Sequence, residues 1–123
     1  MKVLLKKLNE DYEPIIVEED LEVGDGVTIN YYSDEHAATI VAIDPKGKWI
    51  DVQRDKVIRT DTNGMSDSQS YKFERDPQGH ITRFYKTRRK DITWFTDTGR
   101  STFNTYGTYL SLKIRREYFD YSF

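Results

Sequence analysis

Apolar residues recur at every second position in several short runs of this chain. Val27, Ile29 and Tyr31 alternate with Thr28, Asn30 and Tyr32, the period of a strand with one face buried. The β-branched run from Ala37 to Asp44 and the run from Trp49 to Asp55 repeat that character, and Pro45-Lys46-Gly47-Lys48 between them predicts a hairpin turn. Tyr71 and Phe73 alternate with Lys72 and Glu74, and Asp76-Pro77-Gln78-Gly79 predicts a turn into His80–Lys86. Ile92, Trp94 and Thr96 alternate with Thr93, Phe95 and Asp97, and Tyr109–Ile114 reads as a strand with Leu110, Leu112 and Ile114 on one face. Val23-Gly24-Asp25-Gly26, Ser33-Asp34-Glu35 and Thr98-Gly99-Arg100-Ser101 are further turns. The opening Met1–Leu8 fits a strand or a helical turn equally, and Ile15-Ile16-Val17 is β-branched.

These runs predict an all-β fold, a small antiparallel barrel or sandwich built on an SH3-like meander with an added hairpin layer. With 123 residues the chain fits one β domain over 24–123, preceded by an N-terminal acidic extension or first strand over 1–23.

The alternation breaks most sharply in the middle of the chain. Continued from Ile50 and Val52, it sets Arg54 on the apolar face, where a guanidinium needs an acceptor such as Asp55, Asp61 or Asp67 unless the strand ends or bulges at Gln53. The stretch that follows is dense in amides, hydroxyls and charges, with an Asn63-Gly64 turn signal. Arg54, Arg59, Asp61, Asn63, Ser66, Gln69 and Tyr71, with Arg116 and Tyr118 near the end of the chain, are the candidate ligand contacts. They offer forks for phosphate, rings for stacking and amides for base edges. The competing role of Asp61, Asn63, Ser66 and Asp67 is local Asx and Ser/Thr turns that organise the connection. A calcium loop is excluded: aligning Gly64 with the invariant glycine of such a loop puts Arg59 at the first ligand position and Ser70 where a bidentate Glu is needed.

Composition narrows the chemistry further. There is no Cys, which removes thiolate catalysis, disulfides and Cys-based zinc sites, and only His36 and His80 are imidazoles. His36 beside Ser33 and Asp34 is the sole triad-like grouping, and turn chemistry explains it. The expectation is a protein that is not an enzyme and needs no cofactor or metal. No run is long enough for a membrane span, and the apolar core of MKVLLKKLNEDYEP is too short for a signal peptide, so a bacterial cytosolic location is expected.

Charge is segregated along the chain although the net value is only −2. Leu8–Pro45 contains eleven acidic residues and no Lys or Arg, while Tyr71–Phe123 contains eleven basic against six acidic residues. The basic half interleaves Arg83, Lys86, Arg88, Arg89, Lys90, Arg100, Lys113, Arg115 and Arg116 with Tyr85, Trp94, Phe95, Tyr109 and Tyr118, the ingredients of a single-strand stacking platform. Against that use stands the negative net charge, because counterion release favours basic proteins. The acids can equally pair with the bases across one folded surface. Of seventeen aromatic rings, thirteen fall from Tyr71 onward, more ring surface than one small core hides, which predicts a homodimer or higher homo-oligomer.

The segments SDEHAATI, VQRDK, RTDTNGMSDSQ followed by Tyr71, the DPQG turn and the terminal RREYFDYSF resemble small proteins encoded by bacteriophages, prophages and gut metagenomes. The resemblance spans Gly24–Phe123, with Arg88–Gly107 following the pattern least. No fold or activity comes with it, so no residue role is carried over. What it implies is a phage accessory setting, in which proteins of this size counter host defence by sequestering a signal or inhibiting a host protein. The expected partner is a small anionic nucleotide-like ligand or a host defence protein, with nucleic acid as the alternative.

Overall fold

The period-two runs become strands throughout the computed structural model, which describes residues 1–31, 33–60, 71–89, 91–99 and 108–116. Among the described residues there are ten strands and no helix. They are β1 (Lys2–Leu8), β2 (Pro14–Asp20), β3 (Gly26–Asn30), β4 (Glu35–Ile43), β5 (Trp49–Arg54), β6 (Lys56–Arg59), β7 (Tyr71–Glu74), β8 (Ile81–Arg89), β9 (Ile92–Thr96) and β10 (Tyr109–Leu112). Six of them close into an antiparallel barrel in the order β10-β3-β4-β5-β8-β9. The expected all-β meander is present as β3-β4-β5, and the architecture is a barrel rather than a sandwich. Closure leaves the barrel without edges. Two hairpins, β1-β2 and β6-β7, stand outside it as separate two-stranded sheets.

Register explains which residues fill the interior. Val27 pairs with Ala38, Ile40 with Val52 and Ile50 with Phe84, so one column of each strand faces inward. Phe95 and Leu110 complete the ring, and Val3 and Leu21 enter from the N-terminal hairpin to close one end. Each fully buried apolar side chain contributes about 1.5–3 kcal/mol. A bulge in β4 keeps the columns in phase: Ile40 pairs with Val52 and Ala42 with Asp51, so Val41 is an extra residue and Ile43 returns opposite Ile50.

Residues 1–23 are tied into this core. Met1 and Leu21 exchange hydrogen bonds, the terminal ammonium donating to the Leu21 carbonyl at 3.0 Å and the Leu21 amide to the Met1 carbonyl at 2.7 Å. Gly24, at φ 99°, then turns the chain into β3, where the Ile40 amide and carbonyl bond to Asp25 and Gly24.

The last described segment departs from its expected course. Alternation carried Tyr109–Ile114 as one strand with Ile114 on the Leu110 face, but β10 ends at Leu112. Lys113 adopts φ 62°, which reverses the chain, and Ile114 is exposed. Residues 114–116 then lie along the outer wall of the barrel. Thr28 Oγ1 donates to the Ile114 carbonyl at 2.7 Å and accepts from the Arg116 amide at 3.0 Å. This strap is one reason that Thr28 and Thr39, on the outward columns, are almost wholly buried.

Candidate functional site

The barrel end opposite the N-terminal hairpin is formed by the β3-β4 turn, the last residue of β5 and the start of β8. Alternation does place Arg54 in the column of Ile50 and Val52, opposite Ala38. Of the two alternatives open for Arg54, burial against a carboxylate or exposure at the strand end, the structure has the second: the column leaves the barrel at this position and Arg54 is exposed. Its Nη2 lies 2.8 Å from Nδ1 of His36, the next inward residue along β4. A guanidinium only donates, so Nδ1 is the acceptor of this contact. His36 is 6% exposed, just inside the mouth, and Tyr31 sets its ring edge-on against it, with centroids 5.5 Å apart at 63°. Arg54 is exposed and, among the described residues, makes no ion pair.

Asp55, proposed as the Arg54 acceptor, serves another arginine. Its side chain is 1% exposed, accepts from Thr39 Oγ1 at 2.7 Å and from Arg115 Nε at 3.0 Å, while Arg115 Nη2 donates to Thr39 Oγ1 at 3.1 Å. The triangle clamps the strap to the outer wall. Sequence reasoning counted Arg115 only among the basic residues of the C-terminal half and offered Asp55 to Arg54; the pairing of Asp55 with an arginine 60 positions later had no local signal.

Arg116 sits on that outer wall too. Its Nε lies 3.3 Å from Glu35 and its Nη2 donates to Ser111 Oγ at 3.0 Å. Arg54 and Arg116 therefore hold neighbouring residues, His36 and Glu35, from opposite faces of β4. Asn30 Nδ2 donates to the same Ser111 hydroxyl at 2.9 Å, so this wall is a polar network in which Arg116 has its charge offset.

The β6-β7 ribbon leaves the barrel directly after Arg54 and Asp55. Register pairs Arg59 with Tyr71 at its far end, about 10 Å along the strand from Lys56. The side chains of Arg59 and Tyr71, and all of Asp61, Asn63, Ser66, Asp67, Gln69 and Tyr118, lie outside the described residues. The ribbon base is fastened to the mouth: Gln53 Nε2 donates to the Pro77 and Gly79 carbonyls, both at 3.0 Å, and the Arg54 amide to His80 at 3.0 Å.

On the barrel wall, Arg83 bridges to Asp51 through Nε at 2.8 Å and Nη2 at 3.1 Å, and its guanidinium lies 3.6 Å over the Trp49 ring. These hydrogen bonds to Asp51 outweigh desolvation and raise the Arg83 pKa above its ordinary value. Tyr85 and Lys86 follow on the same strand, both exposed. Among the described residues no group of three or more acidic or imidazole side chains is placed to hold a metal ion, and no helix is long and apolar enough to cross a membrane.

Compared with protein families, with curated proteins and with solved structures, the chain gives no match.

Proposed function

We propose that the chain is a non-enzymatic accessory binding protein of phage type, acting against host defence by sequestering a small anionic nucleotide-like signal at the barrel mouth. The observation that carries this reading is the exposed Arg54 guanidinium, oriented by the His36 ring where a structural arginine takes a carboxylate. A fork held this way keeps most of its donors and its full charge for a phosphate. Tyr31 beside it presents an exposed aromatic ring, and the β6-β7 ribbon rises from the same rim. Inhibition of a host defence protein uses the same surface, since Arg and Tyr also anchor protein interfaces.

The test is calorimetry against cyclic dinucleotides, ADP-ribose derivatives and short oligonucleotides. Arg54→Ala is expected to weaken a phosphate-bearing ligand by about tenfold or more, the worth of one charge-assisted hydrogen bond, with an unchanged melting temperature because the side chain is exposed. His36→Leu keeps the charge but frees the fork, and a smaller loss is expected. Equal affinity of Arg54→Ala and parent, or no binding in any of the three ligand groups, rejects the nucleotide reading and leaves the host protein.

A second reading rests on the wall. Arg83 stacked on Trp49, with Tyr85 exposed on the same face of β8, suits single-stranded nucleic acid. Oligonucleotide binding that survives Arg54→Ala and is lost in Tyr85→Ala selects it.

A further inference from the structure

The β1-β2 hairpin changes character along its length. Its root is anchored: Val3 and Leu21 belong to the core, and the Leu4 amide donates to Thr93 Oγ1 at 3.0 Å. The acids of the root are offset within the hairpin, Glu18 and Asp20 by Lys2 at 3.6 and 3.2 Å, and Glu19 by Lys7. Beyond the root, Leu8, Ile15 and Ile16 are exposed and Tyr12, at the turn, is 82% exposed. Glu10, Asp11 and Glu13 around that turn make no ion pair among the described residues. Among the described residues β2 pairs with β1 alone, so its outer edge carries no described strand. A two-stranded ribbon with apolar side chains on both faces is marginal in water by itself. An open edge that also carries apolar residues is a template for another strand.

A surface of opposite sign lies at the root of the same hairpin. Lys46 and Lys48 in the β4-β5 turn and Lys86 on β8 are exposed and make no ion pair among the described residues. The Lys86 amide donates to the Lys48 carbonyl at 2.8 Å, so these two are neighbours. The Asp44 carboxylate accepts the Lys46 and Lys48 backbone amides, at 3.2 and 3.0 Å, and so shapes the turn. The Met1 side chain reaches Gly47 in this turn, which fixes the patch at the hairpin root. The hairpin tip is about 20 Å away along β1, too far to fold back onto it.

We propose that the β1-β2 hairpin is an arm exchanged with a second copy of this chain. Two arms laid antiparallel along their β2 edges about a twofold axis put each tip on the partner's root. The acidic, apolar tip then covers Lys46, Lys48 and Lys86 of the other copy, and each contact is made twice. The mouth with Arg54 and His36 lies at the opposite end of the barrel and stays open in both copies, so the inference is independent of the ligand reading.

Light scattering at micromolar concentration tests it. The parent is expected at twice the 14.6 kDa of one chain. Lys46→Glu/Lys48→Glu/Lys86→Glu and, separately, Glu10→Lys/Asp11→Lys/Glu13→Lys are each expected to run as monomers with parent-like circular dichroism. All six substitutions together restore opposite signs across the contact and are expected to return the dimer. Where a charge variant does not fold, Ile16→Lys on the exposed edge of β2 replaces it and is likewise expected to be monomeric. A monomeric parent, a dimer that persists in either triple variant, or a combined variant that stays monomeric overturns the proposal. So does a monomeric parent that binds an oligonucleotide through the three lysines.

Discussion

Replacing Arg115 by alanine is expected to lower stability by about 2–3 kcal/mol and the melting temperature by about 10 °C, without loss of the barrel architecture. The cost arises from Asp55. That carboxylate is 1% exposed, and Arg115 Nε is its cationic partner; without it, Thr39 Oγ1 is its remaining side-chain donor among the described residues. Breaking a fully buried pair from one side costs about 3–5 kcal/mol, and the smaller figure here reflects an Arg115 side chain that is 34% exposed and screened by water. Arg115→Lys is expected to recover only part of the loss, because an ammonium cannot bridge Asp55 and Thr39 with a planar fork. Asp55→Ala/Arg115→Ala is expected to be more stable than Arg115→Ala alone, since the stranded charge is gone. Gly26→Ala attacks the same clamp from beneath, as a Cβ there runs into the Arg115 side chain. Urea titrations report all four; an Arg115→Ala midpoint equal to the parent's removes the clamp as a source of stability.

Gly79→Ala is the second large effect, expected at about 2–3 kcal/mol, in the upper part of the range for overpacking. A Cβ at Gly79 collides with the Arg54 carbonyl oxygen, which is backbone and cannot swing aside as a side chain can. The turn is held from three sides: the Asp76 carboxylate accepts the Gln78 amide at 3.0 Å, the Asp76 carbonyl accepts the Gly79 amide at 3.0 Å, and Gln53 holds the Pro77 and Gly79 carbonyls. Relief of the collision therefore moves the end of β5 and, with it, the Arg54 fork. Loss of stability and loss of ligand binding are expected together, in contrast to Arg54→Ala, which separates them. Gly24→Ala is the comparison: its φ of 99° strains a side chain, but nothing stands within 4 Å of the added atom, so about 1 kcal/mol is expected. A Gly79→Ala melting curve overlaying that of Gly24→Ala contradicts the steric account.

The strands of the barrel wall were legible because half of each is apolar at period two and glycine marks the turns at Gly24–Gly26 and Asp76–Gly79. Alternation set the face of Arg54 correctly but carries no information on depth, and the side chain emerges where the column runs out. The Leu110-Ser111-Leu112 pattern continues into Lys113-Ile114, so nothing local signalled the left-handed turn at Lys113 that ends β10. The apolar run Val3-Leu4-Leu5 has no period and left β1 open between strand and helix. Thr28 reads as solvent-facing from alternation, yet it is buried, as are Ala37 and Thr39 on the outward column of β4. The clamp between Asp55 and Arg115 depends on a tertiary contact that pattern reading does not reach. The Arg54–His36 contact was hidden for the same reason, since His36 was weighed only against its sequence neighbours Ser33 and Asp34.

Closure of the barrel between β3 and β10 also shapes how the chain acquires its structure. Residues Val27–Asn30 wait for Tyr109–Leu112, so during synthesis the meander β3-β4-β5 forms first and remains an open, edge-bearing sheet until nearly the whole domain has left the ribosome. Pairings of such sequence separation place refolding in the millisecond-to-second regime of barrels and leave the unpaired edge of β3 as the segment most prone to wrong association meanwhile. Rapid dilution from denaturant at high protein concentration is therefore expected to lose material to aggregation, and slow dilution to recover it.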